Sequence, residues 1–288
     1  MAKLIFGCGY LGLKAAELWT QQGDSVRALT RSAGRAGELK QRGIDAQVGQ
    51  LLEPETWPAE LFADVETVLF SVGFDHSSGG KIEDVYVAGL RNVLAKCPGT
   101  VERVIYISST GVYGPCPGEI VTEETACRPQ RPGGKASLAA EVFLRLSPFG
   151  DRGVVLRLAG IYGPDRIPRI RDVREGKPIT AHSDGFLNLI HRDDAAAVVV
   201  AVSQQPPFSA TLNVSDGQPV PRREFYREIA RLLNLPEPTF CEPTPEELQQ
   251  TRGSDKRVSA DKLRETMAVI LQYPSYREGL AAIVKSEH

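Results

Sequence analysis

Short apolar runs alternate with segments of helical periodicity through the first half of the chain. The runs predict six strands, at residues 3–6, 26–29, 46–48, 67–72, 103–107 and 154–158. Between several of them apolar residues recur every three or four positions, as in the face of Leu11, Ala15, Leu18 and Trp19. Apolar strands separated by amphipathic helices are typical of a parallel sheet covered on both faces. The pattern therefore predicts the α/β class with a doubly wound parallel sheet.

Five residues follow predicted strands directly, at the carboxyl ends where sheets of this kind bind their ligands. They are Gly7, Arg31, Gly73, Ser108 and Gly160. Because the carboxyl ends of parallel strands share one edge of the sheet, we expect these residues to converge on one crevice.

A glycine-rich turn joins the first predicted strand to the first predicted helix. Residues 7–12 read Gly-Cys-Gly-Tyr-Leu-Gly, a G-x-G-x-x-G motif. In this context Gly7 permits the tight turn, Gly9 lets the backbone approach a pyrophosphate, and Gly12 lets the helix pack closely on the strand. The positive end of the helix dipole then faces the anion. The turn predicts a dinucleotide-binding site.

The end of the second predicted strand indicates which dinucleotide is bound. An NAD site usually carries Asp or Glu there to bind the ribose 2′-hydroxyl. Here the sequence is Thr30-Arg31-Ser32. Arg31 offers a planar cation to a 2′-phosphate and Ser32 offers a hydroxyl. The residues favour NADP, with NAD as the alternative.

The chain organisation changes after residue 163. Residues 166–174 are polar and basic, and a capping box, Thr-Pro-Glu-Glu at 244–247, predicts the start of a later helix. We interpret residues 1–164 as the dinucleotide-binding domain. Residues 165–288 are interpreted as a smaller substrate-binding part, with some segments returning to the sheet.

Composition narrows the class of protein. The chain has 288 residues, 42% of them hydrophobic, and a formal net charge of −2. The absence of a basic excess argues against nucleic acid as a partner, and no run is apolar enough to span a bilayer. Five scattered cysteines without a C-x-x-C motif and four dispersed histidines predict neither disulfides nor a metal site. We expect a cytoplasmic protein.

Several further segments, in a fixed order, carry a resemblance to a known family. They lie at residues 106–114, 156–164, 188–196, 256–259 and 273–280. Together with the glycine turn, they resemble extended short-chain dehydrogenases/reductases, and more narrowly the sugar-nucleotide epimerase/dehydratase family. The resemblance covers nearly the whole chain and implies a Rossmann domain with a small substrate domain.

The resemblance also implies a cofactor site and a chemistry. Cofactor contacts fall on the Gly7–Gly12 turn, including Tyr10 and Leu11, and on Arg31, Ser32, Gly73, Ser108, Gly160 and Ile161. The chemistry is hydride transfer assisted by a Ser or Thr, a Tyr that moves the proton and a Lys beside it. Alignment on Val112-Tyr113-Gly114 places the hydroxyl on Ser109, with Thr110 next to it. A hydroxyl there can bind a substrate oxygen as its charge changes.

A nucleotide-linked sugar is the substrate class that the resemblance implies. Asn188 and His191 are polar candidates for contacting the substrate. Arg169 and Arg257, in two basic segments, can bind a diphosphate.

The chain departs from the family at the catalytic Tyr-x-x-x-Lys. Counting back from Leu138-Ala139-Ala140-Glu141 places Gly133 at the Tyr position and Ser137 at the Lys position. Glycine has no side chain to protonate and serine carries no charge. Lys135 is about 200° around a helix from the Ser137 position two residues later, so it does not replace the missing lysine.

Three hypotheses follow from this departure. In the first, the protein is an enzyme in which Tyr113, Tyr162 or His191, or else water or the substrate, moves the proton. Each of these three side chains also has an ordinary structural interpretation. In the second, the protein binds NADP(H) without catalysis and acts as a redox sensor or regulator. In the third, the fold is only a scaffold, which the intact glycine turn argues against.

Two local features complete the sequence-based expectations. Asp193 and Asp194 begin a predicted helix, where carboxylates are stabilised by the helix dipole, so we assign them no catalytic role. By analogy with the family, segments 82–97 and 137–146 are possible contacts of a homodimer.

Overall fold

The computed structural model describes residues 2–75, 79–244 and 255–286. The strands in chain order are β1 (Ala2–Phe6), β2 (Ser25–Thr30), β3 (Asp45–Val48), β4 (Val65–Phe70), β5 (Arg103–Ser109), β6 (Ile120–Val121), β7 (Gly153–Leu158), β8 (Gly160–Tyr162), β9 (Ile179–Thr180), β10 (Phe186–Leu187), β11 (Leu189–His191), β12 (Ala210–Val214), β13 (Val220–Pro221), β14 (Phe240–Cys241) and β15 (Arg257–Val258).

The α-helices are α1 (Tyr10–Gln21), α2 (Ala33–Gln41), α3 (Gly89–Lys96), α4 (Pro132–Leu146), α5 (Ile170–Arg174), α6 (Arg192–Gln204), α7 (Arg222–Leu232), α8 (Asp261–Thr266) and α9 (Tyr276–Ser286). A π-helical turn at Asp84–Ala88 leads directly into α3, and 3-10 turns lie at Pro54–Thr56, Ala59–Phe62 and Thr110–Tyr113.

The central sheet has seven strands in the order β12-β7-β5-β4-β1-β2-β3. β1 pairs in parallel with both β2 and β4, and the pairs β2–β3 and β4–β5 are parallel as well. After β1 the chain adds β2 and β3 on one side of that strand. It then crosses back and adds β4, β5, β7 and β12 on the other side, which is the doubly wound arrangement predicted. The point of reversal lies between β1 and β4, where such sheets bind ligands beyond the carboxyl ends of the strands.

The six predicted strands are all present, each within about two residues of its predicted bounds. The apolar residues of β1, β4 and β5 are buried together with Leu90, Val93 and Leu144 from the helices that cover them. β12 was not predicted, because its sequence Ala-Thr-Leu-Asn-Val lacks a continuous apolar run. The predicted capping box at 244–247 lies outside the described residues.

The chain divides into two compact units, each built from several segments. Unit 1 contains residues 1–112, 129–157 and 196–212, and unit 2 contains residues 113–128, 158–195 and 213–288. Unit 2 has an apolar core of its own, formed by residues such as Tyr162, Leu189, Phe225, Ile229 and Leu280. Both units are discontinuous in sequence, so neither corresponds to a single predicted domain. The predicted division at residues 164/165 stays a prediction.

Candidate functional site

The glycine turn of unit 1 requires glycine at two of its three motif positions. Gly7 has a φ of +91°, and a Cβ on it would lie 2.6 Å from backbone atoms of Ser71 and Val72. A Cβ on Gly12 would lie 2.4 Å from the carbonyl oxygen of Gly7. These contacts hold the end of β1 against the end of β4 and against the first turn of α1. Gly7 and Gly12 thus have the structural roles expected of them.

Gly9 differs from the other two because no described atom lies within 4 Å of the place where its Cβ would stand. Gly9 is exposed and precedes α1, and none of the described side chains caps that helix or places an acidic group in its first turn. Open space at the positive end of a twelve-residue helix suits an anion. The turn therefore has the form of a pyrophosphate cradle.

Arg31 and Ser32 lie beyond the carboxyl end of β2, and both are exposed. The Ser32 hydroxyl caps α2 by accepting a hydrogen bond from the Arg35 backbone N–H at 3.2 Å. Its own hydrogen can still be donated to a ligand. The pocket for a ribose phosphate would thus include Arg31, Ser32 and the start of α2.

Arg35 is a basic residue that the sequence analysis missed. Its guanidinium donates to the carbonyl oxygen of Cys8 inside the glycine turn at 3.2 Å and pairs with Glu38 at 2.6 Å. The helical phase of α2 brings Arg35 back toward the turn, one turn after Ser32. An arginine five residues after the end of β2 was the available signal.

Gly73 and Ser71 show how the end of β4 contributes. Gly73 is exposed and a Cβ on it would meet nothing within 4 Å, so its role as a cofactor contact has no steric support. The Ser71 hydroxyl donates to the carbonyl oxygen of Gly7 at 2.9 Å. Ser71 therefore fixes the glycine turn, a role that the sequence did not indicate.

Ser108 was expected to contact the cofactor, but its side chain points into the protein. It is 5% exposed and its hydroxyl donates to Glu141. Glu141 also binds Arg157 through two guanidinium nitrogens, with the shortest contact at 2.7 Å. Both charged residues are buried, at 0% and 4% exposure. The hydroxyl of Ser108 is thus part of a buried ion-pair network that joins α4 to β5 and β7.

The next two residues, Ser109 at the end of β5 and Thr110 at the start of the following 3-10 turn, differ in exposure. Ser109 is exposed, and its hydroxyl accepts a hydrogen bond from the Gly111 backbone N–H at 3.1 Å. Thr110 is 8% exposed. Ser109 therefore has the local turn contact common for serine, yet its hydroxyl hydrogen remains available to a substrate oxygen.

The start of α4 contains Gly133 and, one turn later, Ser137, the two positions that hold Tyr and Lys in the family. A Cβ on Gly133 would lie 3.4 Å from Cδ1 of Ile82, and one on Gly134 would lie 2.6 Å from the carbonyl oxygen of Gly111. Ser137 is 3% exposed and Lys135 is exposed. The N-terminus of α4 therefore packs on the turn after Ser109, and Ile82 lies beside the position of the absent tyrosine.

A buried phenol group, that of Tyr106, lies beside Ser137. Tyr106, on β5, is 1% exposed, and burial is the main cause that raises its pKa, while the nearby Ser137 hydroxyl lowers it. The charges of Glu141 and of an ionised Tyr86 raise this pKa further. The raised pKa keeps the Tyr106 phenol neutral. Because the charge of Tyr86 acts on Tyr106, the two side chains are neighbours.

In unit 2, Tyr113 has the environment of a structural tyrosine. Its side chain is 0% exposed and its hydroxyl donates to Oδ1 of Asn213 at 2.7 Å. The Asn213 backbone N–H donates to Glu123 at 2.7 Å. This burial weighs against the predicted catalytic role of Tyr113, because a proton donor must reach its substrate.

The other two candidates for moving the proton, Tyr162 and His191, lie against each other in unit 2. They are 0% and 2% exposed, and their rings meet edge to face at 5.3 Å. Nδ1 of His191 accepts a hydrogen bond from the Asp193 backbone N–H at 3.2 Å, and its ring contacts Tyr273 at 4.0 Å. Burial raises the pKa of Tyr162. The structural interpretation is therefore favoured for both.

The predicted substrate contacts of unit 2 are partly engaged within the protein. Asn188 donates to the Lys256 carbonyl at 2.8 Å and accepts from the Val258 backbone N–H at 2.7 Å. Arg257 donates twice to the Gly118 carbonyl, at 2.8 and 3.0 Å. Arg169 is exposed and pairs with Asp172. Of these residues Arg169 is the one whose guanidinium lies most clearly at the surface.

Gly160 and Ile161 begin β8, which pairs with β11 in unit 2. The Gly160 N–H donates to the Asn188 carbonyl at 2.8 Å, and a Cβ on Gly160 would approach that oxygen to 3.0 Å. Ile161 is half-buried. The close backbone pairing accounts for glycine at position 160.

Asp193 and Asp194 lie in the first turn of α6, as expected from the sequence. The Asp194 carboxylate also accepts the backbone N–H groups of Gln272 and Tyr273, at 2.7 and 3.0 Å. Burial raises its pKa, and these two hydrogen bonds lower it. Asp194 thus fixes the segment before α9.

Asp216 is the most perturbed carboxyl group of unit 2. It is 3% exposed, and its Oδ2 atom has no hydrogen-bond partner among the described residues. Burial raises its pKa to about 7, although the Gln218 backbone N–H and Arg264 favour the charged form. Asp194 and Glu278 add to the upward shift.

We expect Asp216 to make stability fall as the pH rises from about 4 to about 7. In that window the native carboxyl holds a proton that the unfolded chain has released, so raising the pH favours unfolding. Asp216→Asn should remove the fall and raise the unfolding free energy at pH 8 by more than about 1 kcal/mol. Urea denaturation at several pH values measures this, with exposed Asp184→Asn as control. An unchanged slope in Asp216→Asn would contradict the assignment.

The described residues contain neither a candidate membrane span nor a candidate metal site. None of the described helices is long and apolar enough to cross a membrane. Across residues 2–75, 79–244 and 255–286, no three His, Cys, Asp or Glu side chains are grouped so that they could hold a metal ion.

Comparison with known proteins identifies the family. The profile described as the NAD dependent epimerase/dehydratase family matches residues 4–214. The chain belongs to this family. It is 25% identical over 275 residues to Protein YeeZ of Escherichia coli K12, covering 94% of this chain and 95% of that protein.

Solved structures agree with this assignment. A functionally unknown conserved protein from Silicibacter pomeroyi is similar with a TM-score of 0.83 and 29% identity, over 99% of this chain and 98% of that one. The Bordetella bronchiseptica enzyme WbmG, in complex with NAD and UDP, has a TM-score of 0.81 and 19% identity, over 98% and 93% of the two chains. At that identity, the second comparison shows the fold alone.

Proposed function

We propose that this protein is an NADP(H)-dependent oxidoreductase or epimerase acting on a nucleotide-linked sugar or a related small molecule. The observation that carries the proposal is the glycine turn, closed by Gly7 and Gly12 and open at Gly9. Arg35 donates a hydrogen bond to this turn, and Arg31 follows β2, the strand paired with β1. Only the cofactor class follows from the family; the preference for NADP rests on the two arginines.

The residues of unit 1 suit the cofactor in size and charge. The start of α1, with Tyr10 and Leu11, would hold the pyrophosphate, since the Cβ position of Gly9 before it meets open space and a helix N-terminus favours an anion. Arg31, Arg35 and the Ser32 hydroxyl would hold the 2′-phosphate. When bound, the nicotinamide supplies the group that accepts or donates a hydride.

The substrate class is supported by the relatives and by residues of this chain. WbmG was solved with UDP, and the family resemblance implies nucleotide-linked sugars. We propose that Ser109 of unit 1 binds the reacting oxygen of the sugar. For the exposed Arg169 of unit 2, binding of a phosphate stays a prediction from the sequence.

A second candidate function is a redox sensor or regulator that binds NADP(H) without catalysis. Glycine at position 133 and buried Ser137 favour it, because neither residue can move a proton as the usual pair does. Calorimetric titration with NADP⁺ and NADPH separates the two. Similar affinities favour an enzyme that keeps its cofactor through a redox cycle, whereas a large preference for one form favours a sensor.

We propose that the protein is cytoplasmic and forms a homodimer. None of the five cysteines forms a disulfide bond, which supports a reducing compartment such as the cytoplasm. Val142 and Leu146 on α4 are exposed, 42% and 81%, which supports a homodimer formed through this helix and segment 82–97.

Arg31→Ala should weaken NADP⁺ binding by about 1.5–3 kcal/mol and leave NAD⁺ binding nearly unchanged. The reason is that NADP⁺ alone carries a 2′-phosphate for the guanidinium to bind. Calorimetry with each cofactor gives the two affinities. Arg42→Ala is the matched control, since Arg42 is exposed and pairs with Glu17 at 2.8 Å. Equal losses for NADP⁺ and NAD⁺ would sink the assignment.

A further inference from the structure

We propose that Tyr86 replaces the missing catalytic tyrosine, its phenolic oxygen holding the proton that passes to and from the substrate oxygen. This inference rests on the proposed function, because the proton transfer matters only if a cofactor and substrate bind. It is carried by the packing of the π-helical turn at Asp84–Ala88 against α4, and by the contact of Ile82 with the Cβ position of Gly133 at the start of α4.

The helices that bear Tyr86 and Gly133 begin at the same edge of the sheet. β4 and β5 are parallel neighbours, and each is followed by one of these helices. Right-handed connections place both helices on the same face, running in the same direction. The contact of 3.4 Å between Ile82 and the Cβ position of Gly133 fixes their register. Tyr86 and Ser137, each four residues further on, therefore lie at the same level.

Side-chain direction then brings the phenol toward the gap. Side chains on a helix lean toward its N-terminus, so Tyr86 covers the turn that contains Ile82. That turn faces Gly133, whose missing side chain leaves the catalytic position empty of any functional group. Tyr86, in the π-helical turn that leads into α3, can thus reach the position next to Gly133.

Two further observations support Tyr86. It is half-buried, whereas Tyr106, Tyr113 and Tyr162 are each at most 1% exposed. The charge of ionised Tyr86 acts on Tyr106, which contacts Ser137 at the former lysine position. In addition, π-helical turns occur frequently at functional sites. Tyr86 is therefore a phenol with access to solvent in the right part of unit 1.

The proton and electron balance of the step is simple. When an alcohol group of the sugar is oxidised, its C–H bond breaks and the hydrogen leaves with the electron pair for the nicotinamide. The O–H proton goes to the Tyr86 phenolate as the C=O bond forms. In the reverse direction the Tyr86 hydroxyl gives its proton to the carbonyl oxygen. Ser109 binds that same oxygen.

The test follows tyrosine ionisation by absorbance near 295 nm against pH, with NADP⁺ or NADPH bound. Since the oxidised nicotinamide is positive, it favours a phenolate beside it. We expect one tyrosine to ionise at least about one pH unit lower with NADP⁺ than with NADPH. Tyr86→Phe should lose this transition and Tyr106→Phe, the buried neighbour, should keep it.

Calorimetry with NADP⁺ separates failure of this inference from failure of the proposed function. If Tyr86→Phe binds NADP⁺ like the wild type but retains the shifted transition, Tyr86 is not the proton-holding residue. The same holds if the wild type binds NADP⁺ and shows no shifted transition. If the wild type binds neither NADP⁺ nor NAD⁺, the proposed function is wrong and this inference falls with it.

A measurement on the wild-type protein covers the case in which Tyr86→Phe does not fold. Tetranitromethane, which reacts with phenolates, should nitrate Tyr86 in the protein alone, and bound NADP⁺ should speed this at least about fivefold, a difference of about 1 kcal/mol, because it favours the phenolate. Peptide mapping locates the nitrated residue. Nitration of Tyr86 at the same rate with and without NADP⁺ would overturn the proposal.

Discussion

Gly12→Ala should abolish cofactor binding and destabilise unit 1. The added Cβ would stand 2.4 Å from the Gly7 carbonyl oxygen and 2.8 Å from the Ser71 hydroxyl. The Gly7 carbonyl must then move, although it accepts hydrogen bonds from Gly9 at 2.8 Å and Ser71 at 2.9 Å. We expect a loss of about 2–4 kcal/mol in unfolding free energy and at least about 100-fold in NADP⁺ affinity.

Two other glycines separate the effects on stability and on binding. Gly9→Ala should change the unfolding free energy by less than about 1 kcal/mol, since nothing lies within 4 Å of its Cβ position. It should still weaken NADP⁺ binding, because that Cβ would occupy the space for the pyrophosphate. Gly99→Ala, with equally open space away from the turn, is the control for both. Full NADP⁺ affinity in Gly12→Ala would show that the cofactor does not use this turn.

Glu141→Gln should lower the unfolding free energy by about 3–5 kcal/mol. The substitution keeps the size of the side chain but removes the negative charge that the guanidinium of Arg157, 4% exposed, binds at 2.7 Å. It also weakens the acceptor of the Ser108 hydroxyl. Urea denaturation measures the change.

Two comparisons test whether burial is the reason. Glu17→Gln removes the partner of Arg42 at 2.8 Å, but this pair is exposed and should contribute less than about 1 kcal/mol. The double variant Glu141→Leu with Arg157→Met removes both buried charges and should recover much of the loss. A loss below about 1 kcal/mol for Glu141→Gln would show that the network does not stabilise the fold.

The sequence by itself determined the features that depend on local periodicity. The alternation of apolar runs with helical stripes specified the parallel sheet, because each element buries one face whatever its partners are. The Gly7–Gly12 turn was equally readable, since its three glycines are needed within six residues of backbone. The absence of the catalytic pair at Gly133 and Ser137 was readable for the same reason, as it depends only on spacing.

The tertiary structure decided which side chains remain available for chemistry. Ser108, Tyr113 and Asn188 were candidates by position, but their polar atoms bind Glu141, Asn213 and the backbone near Lys256. Conversely, Arg35 gained interest through its contact with Cys8. Tyr86 did so because it lies near Tyr106, 20 residues away in the chain. Such contacts join residues distant in sequence, and their formation depends on how helices pack on the sheet, which no local pattern specifies.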